Sequence, residues 1–138
     1  MRAGGSRRPA RTRDPYGGLL EPVAQRRPVR LRRMFGCWAY YAEERLVWVS
    51  AARREPWRGI LVPTEREHQA ALRAAVPALR VHPVLRKWLY LPARHPAFES
   101  VAEGLARLIA EGDERVGVWP ALRGPPRHRR AGGKERLA

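Results

Sequence analysis

The chain has 138 residues, 44% of them hydrophobic, and a formal net charge of +15. That length fits one domain, and a single cysteine, Cys37, excludes an internal disulfide or a multi-cysteine metal cluster. No apolar run approaches the roughly 18 residues of a membrane span, and the Arg-, Gly- and Pro-rich start lacks the apolar stretch of a secretory signal, so a cytoplasmic chain with no membrane partner is expected.

The charge is unevenly spread. Residues 1–33 carry ten Arg against Asp14 and Glu21, a net +8, residues 34–120 carry a net +2, and residues 121–138 carry a net +5. The expected folded part is thus nearly neutral, and the basicity sits in the ends. Basic tails attract phosphate or acidic surfaces without reading sequence. The chain also holds 26 Arg against 2 Lys, a bias that GC-rich codons supply, so part of the excess records codon composition.

In chain order, residues 1–18 bury too little apolar surface to offset chain entropy and are expected to be disordered. Leu19 to Ala24 has the makings of one short helix, with Pro22 in its first turn and Pro28 beyond its end. Leu31 to Tyr41 reads as a single strand. Its alternation puts Met34, Gly36, Trp38 and Tyr40 on one face and Phe35, Cys37, Ala39 and Tyr41 on the other, both apolar, as in a central strand. Leu46–Ala51 and Gly59–Val62 read as two further strands. Thr64 and Glu67 have capping-box spacing ahead of a helix whose inward face is Ala71, Leu72 and Ala75. That helix stops before Pro77. Val81 to Leu85 is irregular, and Lys87 to Leu91 reads as a fourth strand with Trp88 and Tyr90 on one face. A helix opens at His95-Pro96. Phe98, Val101, Ala102, Leu105, Leu108 and Ile109 follow the helical period, and Gly112 stops it. A basic tail, residues 121–138, follows Pro120 and is expected to be disordered.

These blocks carry a resemblance. Arg33-Met34-Phe35-Gly36, the aromatic strand through Tyr41, a polar turn and a second apolar strand look like the opening of the TfoX N-terminal domain family. Gly59 to Val62 before a helix, Trp88 to Pro92, and the helix from Pro96 to Ala110 follow in the same order. The resemblance covers about residues 19–112. It implies an α+β domain over residues 19–120, with an antiparallel sheet of about four strands and two to three helices packed on it. It also implies a bacterial regulatory role and carries no catalytic motif. Cys37 stands where the family often has a second Gly. The sequence ends at Ala138, short of the further C-terminal domain of the competence regulators, so a stand-alone member is expected.

Candidate sites follow from residue types. Arg26, Arg27, Arg30, Arg32 and Arg33 form the densest cationic cluster beside the domain, and Arg127, Arg129 and Arg130 form a second. Trp57, between Arg54 and Arg58, is the candidate exposed aromatic contact. Trp38, Trp48 and Trp88 lie on strands, where such residues usually fill the core. His68, His82, His95 and His128 show no helical ligand spacing and read as surface or capping residues, so no metal site is expected. Cys37, mid-strand, reads as a small buried hydrophobe. No catalytic residue and no cofactor is expected.

The leading expectation is a non-catalytic regulatory or protein-interaction module with a protein partner. Its rival is a nucleic-acid-associated protein that binds phosphate non-specifically through basic tails. An enzyme or ligand carrier with a pocket near Cys37 and Trp38 is the least supported. The position of the cations separates the first two: arginines gathered on the folded surface favour nucleic acid, and a bare apolar patch favours a protein. Composition does not fix the oligomeric state.

Overall fold

Prolines and small residues keep the N-terminal approach short. In the computed structural model, which describes residues 13–120, Gly17–Leu20 is a 3-10 turn and α1 (Glu21–Ala24) a single helical turn with Pro22 at its start. The pair buries Leu20 and Val23. The described residues include Asp14 and Tyr16, in the stretch expected to be disordered, and both are packed on the domain. The Asp14 carboxylate accepts a 2.8 Å hydrogen bond from the Tyr40 hydroxyl, and Tyr16 packs edge-on against Phe98 at 5.2 Å.

Six strands follow: β1 (Val29–Met34), β2 (Cys37–Ala42), β3 (Arg45–Ala52), β4 (Arg58–Val62), β5 (Arg80–Val81) and β6 (Leu89–Pro92). They form one antiparallel sheet in the order β1-β2-β3-β4-β6-β5. α2 (Arg66–Ala75) lies between β4 and β5, and α3 (Phe98–Ala110) follows β6. The class is α+β, as expected, but with six strands where the sequence suggested about four.

The two extra strands have different origins. The stretch read as one strand from Leu31 to Tyr41 is a hairpin, with Met34 paired to Cys37 across a two-residue turn at Phe35-Gly36. Both turn residues have positive φ, 54° and 76°. That is the type I′ pattern, whose twist matches the strands it joins. The turn moves Met34 onto the face of Cys37, Ala39 and Tyr41 and takes Gly36 out of any strand. β5 is only two residues long, too short to leave a periodic signal.

Two apolar clusters lie on the two faces of the sheet. The larger holds Val47, Trp48, Ile60, Val62, Leu89 and Leu91, covered by Leu20 and Val23 and by Ala102, Leu105 and Ile109 of α3. The smaller gathers Cys37, Ala39, Tyr41, Val49, Leu61, Trp88 and Tyr90, and no helical residue belongs to it. Trp88 thus sits in the core as expected, whereas Phe98 is only partly buried at the edge of the larger cluster.

α2 departs from its expected form. Only Leu72 is buried, and Ala71 and Ala75 face solvent. The capping box does not form. The helix N-cap is Glu65, without a side-chain cap, and the Thr64 hydroxyl donates instead to the Arg115 carbonyl at 2.6 Å. Thr64 is needed elsewhere because the chain after α3 returns to the sheet: Gly117 bridges Thr64, and Val118 bridges Leu46. Gly112 ends α3 in the left-handed conformation, at φ 80°. Among the described residues no helix is long and apolar enough to cross a membrane.

Candidate functional site

The helix-free face of the sheet holds a trough of about 650 Å³. Its floor is built from strand pairing. Tyr41 and Leu46 face each other across β2 and β3, Met34 comes from the end of β1, and Trp88 precedes β6. Val118, Trp119 and Pro120 form one wall, fixed by the Val118–Leu46 bridge. Phe35 borders the trough from the hairpin turn.

The rim is cationic because of register. Arg30 pairs with Tyr41 and Arg32 with Ala39, so both arginines project on the face of the smaller cluster. Arg66 enters from the first turn of α2 and Lys87 from the loop before β6. Arg33 also borders the trough, but it pairs with Trp38, so its side chain projects toward the opposite side of the sheet. Its guanidinium lies 4.6 Å over the Trp38 ring and donates to the carbonyls of Cys37 and Gly36, each at 3.1 Å. Five cations thus line a trough whose one acidic lining residue is Glu65. Among the described residues, none of the five makes an ion pair within 4.0 Å. Three are held over aromatic rings instead: besides Arg33 over Trp38, Arg30 lies 5.0 Å from the Tyr41 centroid and Lys87 5.7 Å from that of Trp88.

Arginines on an edge strand have a purely structural use, since they discourage edge-to-edge pairing. That accounts for Arg30 and Arg32 on β1. It does not account for Arg66 and Lys87, which come from other elements and face the same space.

Of the residues singled out in the sequence, Arg30, Arg32 and Arg33 meet in the trough. Arg26 and Arg27 do not. Arg26 is exposed in the turn after α1, and Arg27 is occupied by the Ala110 carbonyl at 3.0 Å and by Glu43 at 3.3 Å. Arg54 and Arg58 are exposed outside the trough, and Trp57, expected to be exposed, is half-buried against His82 at 4.5 Å. Arg127, Arg129 and Arg130 lie outside the described residues. By register Trp38 and Trp48 sit on the helix-bearing side and Trp88 on the other, so the three form no common platform. Arg66, Lys87, Phe35, Tyr41 and Trp119 were not singled out. Lys87-Trp88 is a local cation–aromatic pair that could have been noticed, but nothing in sequence brings Arg66 beside it.

Cys37 is 2% exposed at the start of β2. Burial raises its thiol pKa, against the opposing pull of Arg53 and Arg33, which disfavours the nucleophilic thiolate. Among the described residues no group of three or more His, Cys, Asp or Glu could hold a metal ion.

The fold and the site together define an α+β domain with an open cationic trough, floored by aromatic and aliphatic side chains on the face its helices leave bare. Such a surface suits a ligand that is both anionic and flat. Neither a protein-family model, nor a curated protein, nor a solved structure matches this chain.

Proposed function

We propose that this domain binds nucleic acid through its folded surface, with the phosphate backbone held along the basic trough. The observation that carries the reading is the convergence of Arg30, Arg32, Arg66 and Lys87 from three separate parts of the chain around one apolar floor, with Arg33 at its border. Like charges brought together without carboxylate partners repel, so the arrangement costs stability, and an anionic ligand relieves that cost. The exposed apolar residues away from the trough, Leu31 and Val84, stand on β1 and on the loop after β5. Scattered residues of this kind are normal on protein surfaces, so the protein-partner reading has less to support it.

The proposal keeps the resemblance to the TfoX N-terminal domain and, with it, a bacterial, regulatory and cytoplasmic setting in which nucleic acid is the partner. It moves the site from the tails to the domain. Arg residues in the terminal segments add non-specific attraction to a ligand already held in the trough.

The test is a salt titration of the full chain on one random-sequence oligonucleotide, beside an Arg32→Gln/Lys87→Gln variant. Removing one cation from a phosphate should lower the slope of log affinity against log salt by about 0.7 on a single strand or about 0.9 on a duplex. The double variant is expected to lower it by about one to two such steps. An unchanged slope and affinity would return the binding to the tails.

A further inference from the structure

The hairpin turn at the mouth of the trough is built with the wrong residue for its conformation. A type I′ turn needs positive φ at both central positions, and Asn, Asp or Gly is preferred at the first. Here that position holds Phe35, at φ 54°. A bulky side chain strains the left-handed region. The ring recovers little by burial, because Phe35 is 76% exposed, the most exposed large hydrophobic residue of the described chain. Strain and exposure together give no stability reason for an aromatic ring there, and backbone strain of this kind collects at functional positions.

The turn is also held in place. Arg53 donates to the Phe35 carbonyl at 2.7 Å, and Arg33 donates to the Gly36 carbonyl at 3.1 Å. A Cβ at Gly36 would come within 2.7 Å of the Arg53 guanidinium, so the glycine leaves room for that brace. The ring is therefore carried on a short, braced support beside Arg32 and Arg33, at one end of a cationic trough. Trp119, the other exposed aromatic residue of the trough, is 36% exposed. The floor residues Tyr41 and Trp88 are buried and present little ring face.

From this geometry we infer that the trough takes single-stranded nucleic acid, with an unpaired base stacked on the Phe35 ring while the adjoining phosphates lie against Arg32 and Arg30. The inference rests on the nucleic-acid reading of the trough and specifies the strand state. In a duplex the base faces are already stacked on their neighbours, so Phe35 has nothing to receive, whereas every unpaired base offers a π face whatever its identity.

The experiment measures fluorescence anisotropy of the full chain with three probes: an oligothymidylate about ten nucleotides long, within the span of known single-strand sites, a random duplex of equal length, and an abasic strand of equal charge. Phe35→Asn suits the turn better than the native residue, so its melting temperature should equal or exceed that of the native chain, which separates impaired binding from impaired folding. Its affinity for oligothymidylate should fall about 5- to 150-fold, the range expected for one stacked base. Its affinities for the duplex and the abasic strand should stay within about twofold, because the cations that meet phosphate are untouched. Phe35→Leu, which keeps apolar bulk without a π face, should behave as Phe35→Asn does, and Phe35→Tyr should retain the native affinity. If Phe35→Asn leaves oligothymidylate binding unchanged, or weakens all three probes alike, the stacking inference is wrong. In that case Arg32→Gln decides the broader reading: weaker binding of every probe keeps the trough as the phosphate site, and unchanged binding of all three removes it.

Discussion

His82 shows how little a residue type says before its surroundings are known. The sequence reads the histidines as surface or capping groups, and His95 has such a role, its Nδ1 accepting the Ala97 N–H at 3.0 Å. His82 instead is fully buried between Trp57 and Tyr90. Its Nδ1 accepts from the N–H groups of Val84 and Leu85, at 3.1 and 2.9 Å, which leaves Nε2 to donate to the Pro56 carbonyl at 2.7 Å. This is the neutral tautomer, and a second proton on Nδ1 would displace both backbone donors. Burial lowers the pKa below its ordinary value of 6.5, against a smaller upward pull from the Pro56 hydrogen bond. The unfolded chain therefore takes up a proton before the folded one does. The resulting stability is full above about pH 6.5 and is lost as pH falls from there toward the folded pKa. We expect the His82 ring protons to titrate by NMR with a midpoint below 6.5; a midpoint at or above that value would contradict the buried, neutral assignment.

At the scale of elements, long periodic segments are readable and short ones are not. α3 is legible because six apolar residues keep the helical period over thirteen positions. The alternation of Trp88 and Tyr90 against Leu89 and Leu91 also agrees with the two clusters they join. The hairpin at Phe35-Gly36 escapes a sequence reading because the apolar pattern runs through the turn without a break, and because Phe is not a turn residue. The capping box fails because Thr64 is taken by the chain after α3, a partner 51 residues away. Gly59 is a further case of long-range demand. It sits opposite Pro92 at φ 139°, and a Cβ there would meet the Leu91 carbonyl oxygen and come within 2.7 Å of the Ala93 nitrogen. Both are backbone atoms of β6 and its exit, so neither gives way without moving the strand. We expect Gly59→Ala to destabilise the domain by about 3 kcal/mol, from overpacking and backbone strain together, read as a lower urea midpoint. An unchanged midpoint would mean that β4 and β6 do not approach as described.

At the scale of the molecule, the distribution of charge decides the reading, and it is only half legible. Counting along the chain assigns Arg30, Arg32 and Arg33 to a basic N-terminal segment and leaves a nearly neutral domain. The strand that carries them begins at Val29, so they belong to the sheet, and cutting the chain at Met34 would remove an edge strand rather than a tail. The alternation of Arg30 and Arg32 can be read as one face of a strand. Their meeting with Arg66 and Lys87 cannot, because it depends on sheet order and on where α2 and the β5–β6 loop come to rest. Net charge, which treats the cations as interchangeable, hides a local excess wherever acids elsewhere balance it. Here the described acids other than Glu65 stand outside the trough, as Glu43 does beside Arg27 and Glu55 beside Arg94.

The central claim is that the folded trough, rather than the terminal segments, holds the nucleic acid. Amide chemical-shift mapping of the full chain during titration with a short single-stranded oligonucleotide addresses it directly. The account predicts that the perturbed amides fall on Arg30, on Arg32 to Gly36, on Glu65 and Arg66, on Lys87 and Trp88, and on Val118 and Trp119, all of which border the trough or lie in the hairpin turn. Perturbations confined to residues 1–12 and 121–138, with the trough amides unmoved, would contradict it.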